Sequence, residues 1–508
     1  MHVVLTQKLK EINLNFKPNI MKRTNLKWIF ILAINIILFQ ACNNDDLSED
    51  IIQDINSDSI EAGIVEADVT NNTTNLIVQW SDLWVSLDQY TVGMRPNTVT
   101  RSLAYIHLTG YETAVPFMDN YNSNTNRFNN FNINNNNLEN NVNLNLALNT
   151  AYAIAIDHFM HSLEAGTRQS ISNFQDDMEE TLTVGLTDDE IENSQLWGTH
   201  VAERVIAYAE TDNDAEEQIV NQTPNSYIAP VGVGLWEAGE GENAWFPYWR
   251  EVRTFAISPN QTSSTNFNSV LQHSANPNSN YYQQMNDVYQ ATIAAATTDT
   301  EQLWIAEFWA DDVEGLMISP PGRHFSIANQ LIEQYDLDYD ESLELLLRLG
   351  LALNDAAVSA WDDKYTYNIE RPSNFIREYI DEDYTTNLSK FIDGVNPAFP
   401  SYPSGHATFA GAAAGIFIDF FNTDNINFTD NTYSDFTNLS FNGTARTFSS
   451  FSEMATENAY SRVSLGVHIE QDAIEGLRLG YEVSVAVNAI NLQGGNNNNN
   501  GNNNNNNN

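Results

Sequence analysis

Three short blocks in the C-terminal third of the chain contain residue types that bind a tetrahedral oxyanion. The chain has only 22 Lys and Arg residues against 67 Asp and Glu, so cations are scarce, yet three of them fall in these blocks beside Ser, Gly and His. A Lys ammonium is a mobile point charge, whereas an Arg guanidinium is a planar fork that binds two oxygens at once. The blocks are Lys364 with Arg371-Pro372, then Pro403-Ser404-Gly405-His406, and finally Ser461-Arg462 with Gly466-Val467-His468 and Asp472.

Two helices are expected to position these residues. An apolar helical run follows His406, so Ser404 and Gly405 would lie at a helix N-terminus, where backbone N–H groups favour an anion and the small Gly405 permits close approach. In the third block, the spacing predicts a turn at Gly466 and a helix over His468–Ile490. Asp472 lies one helical turn beyond His468, where it can accept a proton from the ring and fix its tautomer.

Each block alone also has an ordinary structural interpretation. Arg-Pro is typical of a helix end, Ser-Gly-His of a capped loop, and a histidine at a helix start is usually a capping or surface residue. The three blocks occur together and in order, with helices behind two of them. This combination favours a single binding site.

The three blocks resemble the signature shared by vanadium-dependent haloperoxidases and type 2 phosphatidic acid phosphatases. The pattern Lys-x6-Arg-Pro, Pro-Ser-Gly-His and Ser-Arg-x5-His-x3-Asp is matched at every position. Other segments, within a resemblance that spans about residues 75 to 490, are similar to the bacterial haloperoxidase branch. These are Arg101–His107, Gly234–Trp236, Pro247–Trp249, Phe308-Trp309, Pro320–His324, Trp361 and Phe399.

The resemblance implies a vanadate cofactor, with hydrogen peroxide and halide as substrates. His468 would bond vanadium, Lys364 would also polarise the bound peroxide, and His406 would act as general acid and base. Small organic acceptors are compatible with this chemistry. The residues that would hold the vanadate oxygens are Lys364, Arg371, Ser404, Gly405 and Arg462.

Halide preference would depend on the pocket wall. Phe399 stands where the algal bromoperoxidases carry a second histidine, and an aromatic residue there is compatible with chloride or iodide enzymes. No additional feature activates peroxide to the degree that chloride oxidation demands. The sequence therefore favours iodide, with bromide second, although Trp361 and Phe399 also suit simple packing of the wall.

Two alternatives remain open at this stage. In a phosphatase, His468 would attack phosphorus to give a phosphohistidine and His406 would protonate the leaving alkoxide. An inactive binding lipoprotein, tethered to a surface, would retain the same fold without turnover.

The N-terminal 42 residues combine a basic start with a short apolar run. Met21-Lys22-Arg23 precedes the run Trp28–Ala41, and Cys42, the only cysteine, follows it. This arrangement predicts an exported protein, anchored at the cell envelope through lipidated Cys42 or secreted, with Met1 or Met21 as the true start. No later run reaches the roughly 20 apolar residues that span a membrane.

Composition and periodicity predict an all-α fold of two packed helical bundles joined by long polar loops, with the site in the C-terminal bundle. A formal charge of −45 over 508 residues argues against nucleic acid and anionic membranes as partners. The predicted segments are a signal over 1–42, an acidic tether over 43–74, helical halves over 75–258 and 259–493, and a disordered Asn-rich tail over 494–508.

Overall fold

The computed structural model describes residues 72–239, 242–311, 314–390, 396–434 and 444–494. The predicted signal, Cys42, nearly all of the predicted tether and most of the Asn-rich tail lie outside these ranges. Within them the regular secondary structure is almost all helical, as predicted. The helices are α1 Asn72–Asp88, α2 Asn97–Ala114, α3 Leu144–Phe159, α4 Ala165–Leu182, α5 Asp188–Ala209, α6 Asn213–Val220, α7 Pro259–Thr262, α8 Asn280–Thr297, α9 Thr300–Phe308, α10 Pro320–Tyr335, α11 Tyr339–Tyr367, α12 Pro372–Tyr379, α13 Gly405–Phe420, α14 Phe451–Leu465 and α15 Glu470–Asn488.

The long helix α11 lies at the centre of the structure. It begins with a capping box between Asp338 and Glu341, and its side chains are buried almost without interruption from Ser342 to Lys364. One side packs on α2, and other sides pack on α13 and α15. A helix that is apolar nearly all round requires such neighbours on every side. Its C-terminal end therefore delivers Trp361 and Lys364 into the interior.

Helices on the two sides of α11 form separate groups of packing partners. On one side, α2, α3 and α5 pack together, and α10, although late in the chain, packs on α1. On the other side, α13 and α15 form the most extensive helix pair, with α14 against both. Close approach here depends on glycine: a Cβ at Gly476 would lie 2.7 Å from the carbonyl oxygen of Ser404. The helix α15 consequently lies directly against the Pro-Ser-Gly-His turn.

Two details differ from the sequence prediction. The last helix begins at Glu470 rather than at His468, because the Asp472 carboxylate accepts from the N–H of Ile469 and caps the helix there (3.4 Å). Residues 422–450 form a polar insertion rich in Asn, Thr and Ser, for which the sequence predicts no strand, yet it contains a short antiparallel pair of β1 Phe428–Asp430 and β2 Arg446–Phe448. None of the helices in the described ranges is long and apolar enough to cross a membrane.

Candidate oxyanion site

The three sequence blocks meet at one cavity of about 550 Å³. Arg371, Gly405, His406 and His468 line it together with the aromatic rings of Trp361 and Phe399. Lys364 and Arg462 are buried and close enough to affect the pKa of His468 electrostatically. The structure thus brings all of the predicted site residues within the described ranges into one region.

Lys364 is fully buried at the end of α11. Its Nζ donates to the carbonyl oxygens of Pro400 (3.0 Å), Ser401 (3.0 Å) and Pro403 (2.6 Å). The ammonium also lies 5.0 Å from the ring centroid of Phe399. Burial, and then the repulsion of Arg371, holds the pKa of Lys364 well below its usual range. A bound anion would favour the charged form of this lysine.

Arg371 precedes α12 and connects the first block to the third. Its Nε donates to the carbonyl oxygen of Phe399 (3.1 Å), and one terminal nitrogen donates to that of Val467 (3.2 Å). The same terminal nitrogen lies 3.2 Å from His468 Nε2. Because a guanidinium can only donate, Nε2 is the accepting nitrogen of the imidazole.

His468 is held in one tautomer by the groups on its two nitrogens. Nδ1 lies 3.0 Å from Asp472 Oδ2, so the proton resides on Nδ1 and Nε2 carries the lone pair. Ser401 Oγ donates to the same carboxylate oxygen at 2.6 Å. Burial, and then the charges of Arg371, Lys364 and Arg462, keeps the pKa of His468 well below its ordinary value. A neutral imidazole is the form that binds metals.

The second block forms the N-terminus of α13. Ser404 is the N-cap, and its Oγ accepts from the N–H of Ala407 at 3.4 Å. A Cβ at Gly405 would project toward the Trp361 ring at 3.6 Å, so its absence leaves space beside the helix N-terminus. Backbone N–H groups can be approached by an anion here.

A short strap after α9, residues Trp309 and Ala310, holds the two remaining site residues. Arg462 donates to the carbonyl oxygens of Trp309 (3.1 Å) and Ala310 (3.3 Å). His406 Nε2 lies 3.1 Å from the same Ala310 oxygen. Because a carbonyl accepts, Nε2 is protonated and Nδ1 is the nitrogen that can take a further proton. The sequence named Trp309 only as part of the resemblance and revealed neither the role of this strap nor that of Ser401, since both act through contacts that only the fold creates.

The charge of the site fits a tetraoxo anion. Lys364, Arg371 and Arg462 are 0%, 2% and 1% exposed, and within the described ranges every hydrogen bond of Lys364 goes to a carbonyl. Burying cations is costly unless an opposite charge accompanies them, and a bound anion would add such charge to that of Asp472. Vanadate and phosphate both have the charge and the oxygens that these three cations can bind.

Comparison with protein families agrees with this geometry. Residues 344–493, which contain all three blocks, match the family model of the VCPO second helical-bundle domain. This segment is therefore similar to the second helical bundle of that family.

Two curated relatives are each similar to about a third of the chain. The vanadium-dependent bromoperoxidase of Ascophyllum nodosum is 32% identical over 168 residues, which is 32% of this chain and 26% of the relative. The vanadium chloroperoxidase of Curvularia inaequalis is 26% identical over 216 residues, 33% of this chain and 35% of the relative. The matches thus span about a quarter to a third of the length of these haloperoxidases.

Solved structures extend the likeness to the first half. A bacterial vanadium-dependent iodoperoxidase superposes with a TM-score of 0.69 at 23% identity, covering 83% of this chain and 97% of that one. A bacterial vanadium-dependent chloroperoxidase in its holo form superposes with a TM-score of 0.61 at 14% identity, covering 84% and 98%. The fold is therefore that of vanadium haloperoxidases through both helical halves.

Proposed function

We propose that this protein is a vanadium-dependent haloperoxidase, which uses hydrogen peroxide to oxidise a halide to hypohalous acid. The observation that carries the proposal is the convergence of Arg371, His406 and His468 on one cavity, with Lys364 and Arg462 buried beside it. The three cations are hydrogen-bond donors for a multiply charged oxyanion, and the neutral imidazole of His468 is a ligand for a metal. The matched relatives and solved structures support the same chemistry.

The geometry gives each residue a separate task. His468 Nε2, with its proton fixed on Nδ1 by Asp472, would be the ligand to vanadium. The Gly405 N–H and the three cations would bind and neutralise oxygens. His406 Nδ1 would take and return a proton, since Nε2 is held by Ala310. When bound, vanadate supplies a Lewis-acidic vanadium(V) centre that activates peroxide toward halide without changing its own oxidation state.

Iodide is the proposed preferred halide, followed by bromide. Iodide is the most easily oxidised of the three, so it demands the least activation of peroxide. Trp361 and Phe399 pack against each other on the cavity wall, with ring centroids 5.0 Å apart and ring planes tilted by 53°, and present polarisable surfaces to the site. Chloride would demand a more activating environment than these aromatic walls supply.

The decisive assay combines purified protein, orthovanadate, peroxide and iodide, with triiodide followed by absorbance. Bromide and chloride are tested in parallel, and a reaction without vanadate is the control. Failure to turn over any halide would rule out the proposal. Hydrolysis of phosphate esters that vanadate inhibits would instead assign the site to a phosphatase, and inactivity in both assays would indicate a binding protein.

Two histidine substitutions separate cofactor retention from proton transfer. We expect His468→Ala to lose vanadium, as measured by elemental analysis after gel filtration. His406→Ala should retain vanadium but lose about 10²- to 10⁴-fold in kcat, the range that a general acid–base contributes. His161→Ala, which alters an exposed histidine beyond α3, is the matched control and should behave as wild type. Wild-type turnover by His406→Ala would show that its assigned role is wrong.

We also propose that the protein is exported and anchored at the cell envelope through a lipid on Cys42, or else secreted. The support is the basic and apolar sequence over 21–41 that precedes the cysteine. Mass spectrometry of the mature N-terminus tests this: a diacylated or triacylated cysteine is expected, and Cys42→Ser should release the protein from membranes. An unmodified Cys42 within an intact N-terminus would exclude the anchor.

A further inference from the structure

Arg323 lies directly beneath the strap of Trp309 and Ala310 and is completely buried. Its Nε pairs with Asp430 Oδ2 at 2.9 Å, and one terminal nitrogen pairs with Asp311 Oδ1 at 3.1 Å. That terminal nitrogen also donates to the carbonyl oxygen of Phe308 at 3.0 Å. The guanidinium is thus attached to the residues on both sides of the strap.

Aromatic rings enclose this guanidinium and restrict its position. Its central carbon lies 4.1 Å from the ring centroid of Phe308, 4.7 Å from that of Trp309 and 4.4 Å from that of Tyr433. The Tyr433 hydroxyl donates to Asp311 Oδ1, the same oxygen that faces Arg323. Movement of Arg323 would therefore move the backbone of the strap.

The strap is where this buried ion-pair network meets the candidate site. The Ala310 carbonyl oxygen faces both His406 (3.1 Å) and Arg462 (3.3 Å), and the Trp309 oxygen accepts from Arg462. A displaced carbonyl would rotate the imidazole and withdraw the guanidinium fork from the anion. Residues that fix the strap would consequently control catalysis without touching the reacting atoms.

We propose that Arg323 and Asp430 are positioning residues, which hold the strap so that its carbonyls orient His406 and Arg462. Asp430 ends strand β1, so the polar insertion over 422–450 has a role in the site that its composition does not reveal. The proposal rests on the proposed function where turnover is measured, but not where vanadate binding is measured.

A purely structural role for Arg323 is the competing explanation. Removing one member of a buried ion pair is strongly destabilising, so truncation to alanine would not separate the two explanations. Conservative variants are needed: Arg323→Lys keeps the charge but loses the planar fork, and Asp430→Asn keeps the shape but loses the charge.

Arg348→Lys is a matched control from the same protein. Arg348 is also buried, pairs with Glu344 at 2.7 Å, and donates to the carbonyls of Val487 and Asn488 at 3.2 Å each. None of these partners belongs to the strap or to the site. The control therefore reports what the loss of a buried fork does to the fold alone.

Two measurements test the proposal on the full-length variants. The first is the orthovanadate Kd of the vanadium-free protein, followed by tryptophan fluorescence. The second is kcat and KM for iodide with vanadate bound. For Arg323→Lys we expect the vanadate Kd to rise about 10-fold. We also expect kcat to fall about 10- to 100-fold while KM for iodide stays nearly unchanged. Small misplacements of positioned groups have effects of this size.

Asp430→Asn should act in the same direction, and the double variant should be little worse than Arg323→Lys, because the two residues act through one contact. Arg348→Lys should lower Tm while retaining the wild-type Kd and kcat. Equal losses of activity in Arg323→Lys and Arg348→Lys, or additive effects of the first two changes, would overturn the proposal. If wild type binds vanadate but oxidises no halide, the proposed function fails, and the Kd values still decide the positioning role.

Discussion

The hydrogen bonds around His468 determine which atom of the site can be a ligand. Arg371 donates toward Nε2 and Asp472 accepts from Nδ1, so both contacts select the same neutral tautomer. Ser401 also donates to Asp472, so this carboxylate oxygen accepts hydrogen bonds from both Ser401 and His468. Groups behind a metal ligand set its basicity and direction, so Ser401 should affect the metal that it never touches.

We expect Ser401→Ala to weaken vanadate binding about 10-fold, because the Asp472 carboxylate loses a 2.6 Å donor and holds the imidazole less firmly. The Ser401 carbonyl that accepts from Lys364 is unaffected by this change. The Kd is measured by fluorescence titration. Ser342→Ala is the control, since this serine is equally buried but donates to the carbonyl oxygen of Asp338 on the far end of α11. An unchanged Kd for Ser401→Ala would show that Asp472 alone suffices.

At the residue scale, the sequence predicted the groups that a motif can encode. Cations, small residues and histidines in three ordered blocks indicate an oxyanion, because their chemistry is independent of the fold. Ser401 and the carbonyl of Ala310 could not be found in this way. Their roles depend on backbone atoms and on elements 70 to 150 residues apart that only packing brings together.

At the scale of elements, the irregular segment between α6 and α7 is attached to α11 and to the chain that follows it. The N–H groups of Phe255 (2.9 Å), Ala256 (2.7 Å) and Ile257 (3.1 Å) all donate to the Asp355 carboxylate in the middle of α11. Earlier in the same segment, the backbone N–H of Trp236 donates to the carbonyl oxygen of Asn368 at 2.8 Å, three residues before Arg371. This aromatic segment therefore supports the main chain that presents the site arginine.

The Asp355 carboxylate makes the attachment of this segment sensitive to pH. Burial raises the pKa of Asp355 to about 6, although the three N–H groups oppose the shift. The pKa of this carboxyl is therefore higher in the folded state than in the unfolded state. Such a group stabilises the folded state fully at pH values below its unfolded pKa. This contribution is lost as the pH rises through the folded pKa.

Asp355→Asn should lower Tm, since an amide NH2 would face backbone donors that it cannot satisfy. The gap in Tm between wild type and variant should narrow as pH rises from about 4 to about 6, the window between the unfolded and folded pKa values. Thermal unfolding at half-unit pH steps measures this gap. A gap that is constant across the window would show that Asp355 folds with an ordinary pKa.

Periodicity predicted most of the helices, and it failed where tertiary contacts decide. The apolar spacing over 76–85 and 282–296 predicts helices, the leucine-rich run over 341–365 predicts a buried one, and all three stretches lie in helices of the structure. The helix α4 was not predicted, since it is polar and buries only Ser170, Ile171 and Phe174. The Asn-rich stretch over 120–145, whose composition predicts a long surface loop, is mostly irregular, but its buried Phe128 and Phe131 attach it to the core.

At the scale of the whole molecule, the net charge of the chain and the charge of the site residues have opposite signs. The chain carries a formal charge of −45, whereas three buried cations lie at or beside the cavity. The surface therefore produces a negative potential that an approaching halide must cross before it reaches the positive interior. Hydrogen peroxide is neutral and meets no such barrier.

This contrast predicts that salt affects the two substrates differently. At low ionic strength the surface charge repels halide over distances beyond 10 Å, and at about 0.15 M the Debye length shortens to about 8 Å, so most of that repulsion is screened. We expect kcat/KM for iodide to rise several-fold between about 10 mM and 150 mM sodium acetate, while kcat/KM for peroxide stays constant. The peroxide value is an internal control for any effect of salt on folding or vanadate binding, because both would change it as well. A decrease in kcat/KM for iodide with added salt would mean that the cationic interior, rather than the acidic surface, governs the approach of halide. The electrostatic potential at the entrance of the cavity would then be positive despite the net negative charge of the chain.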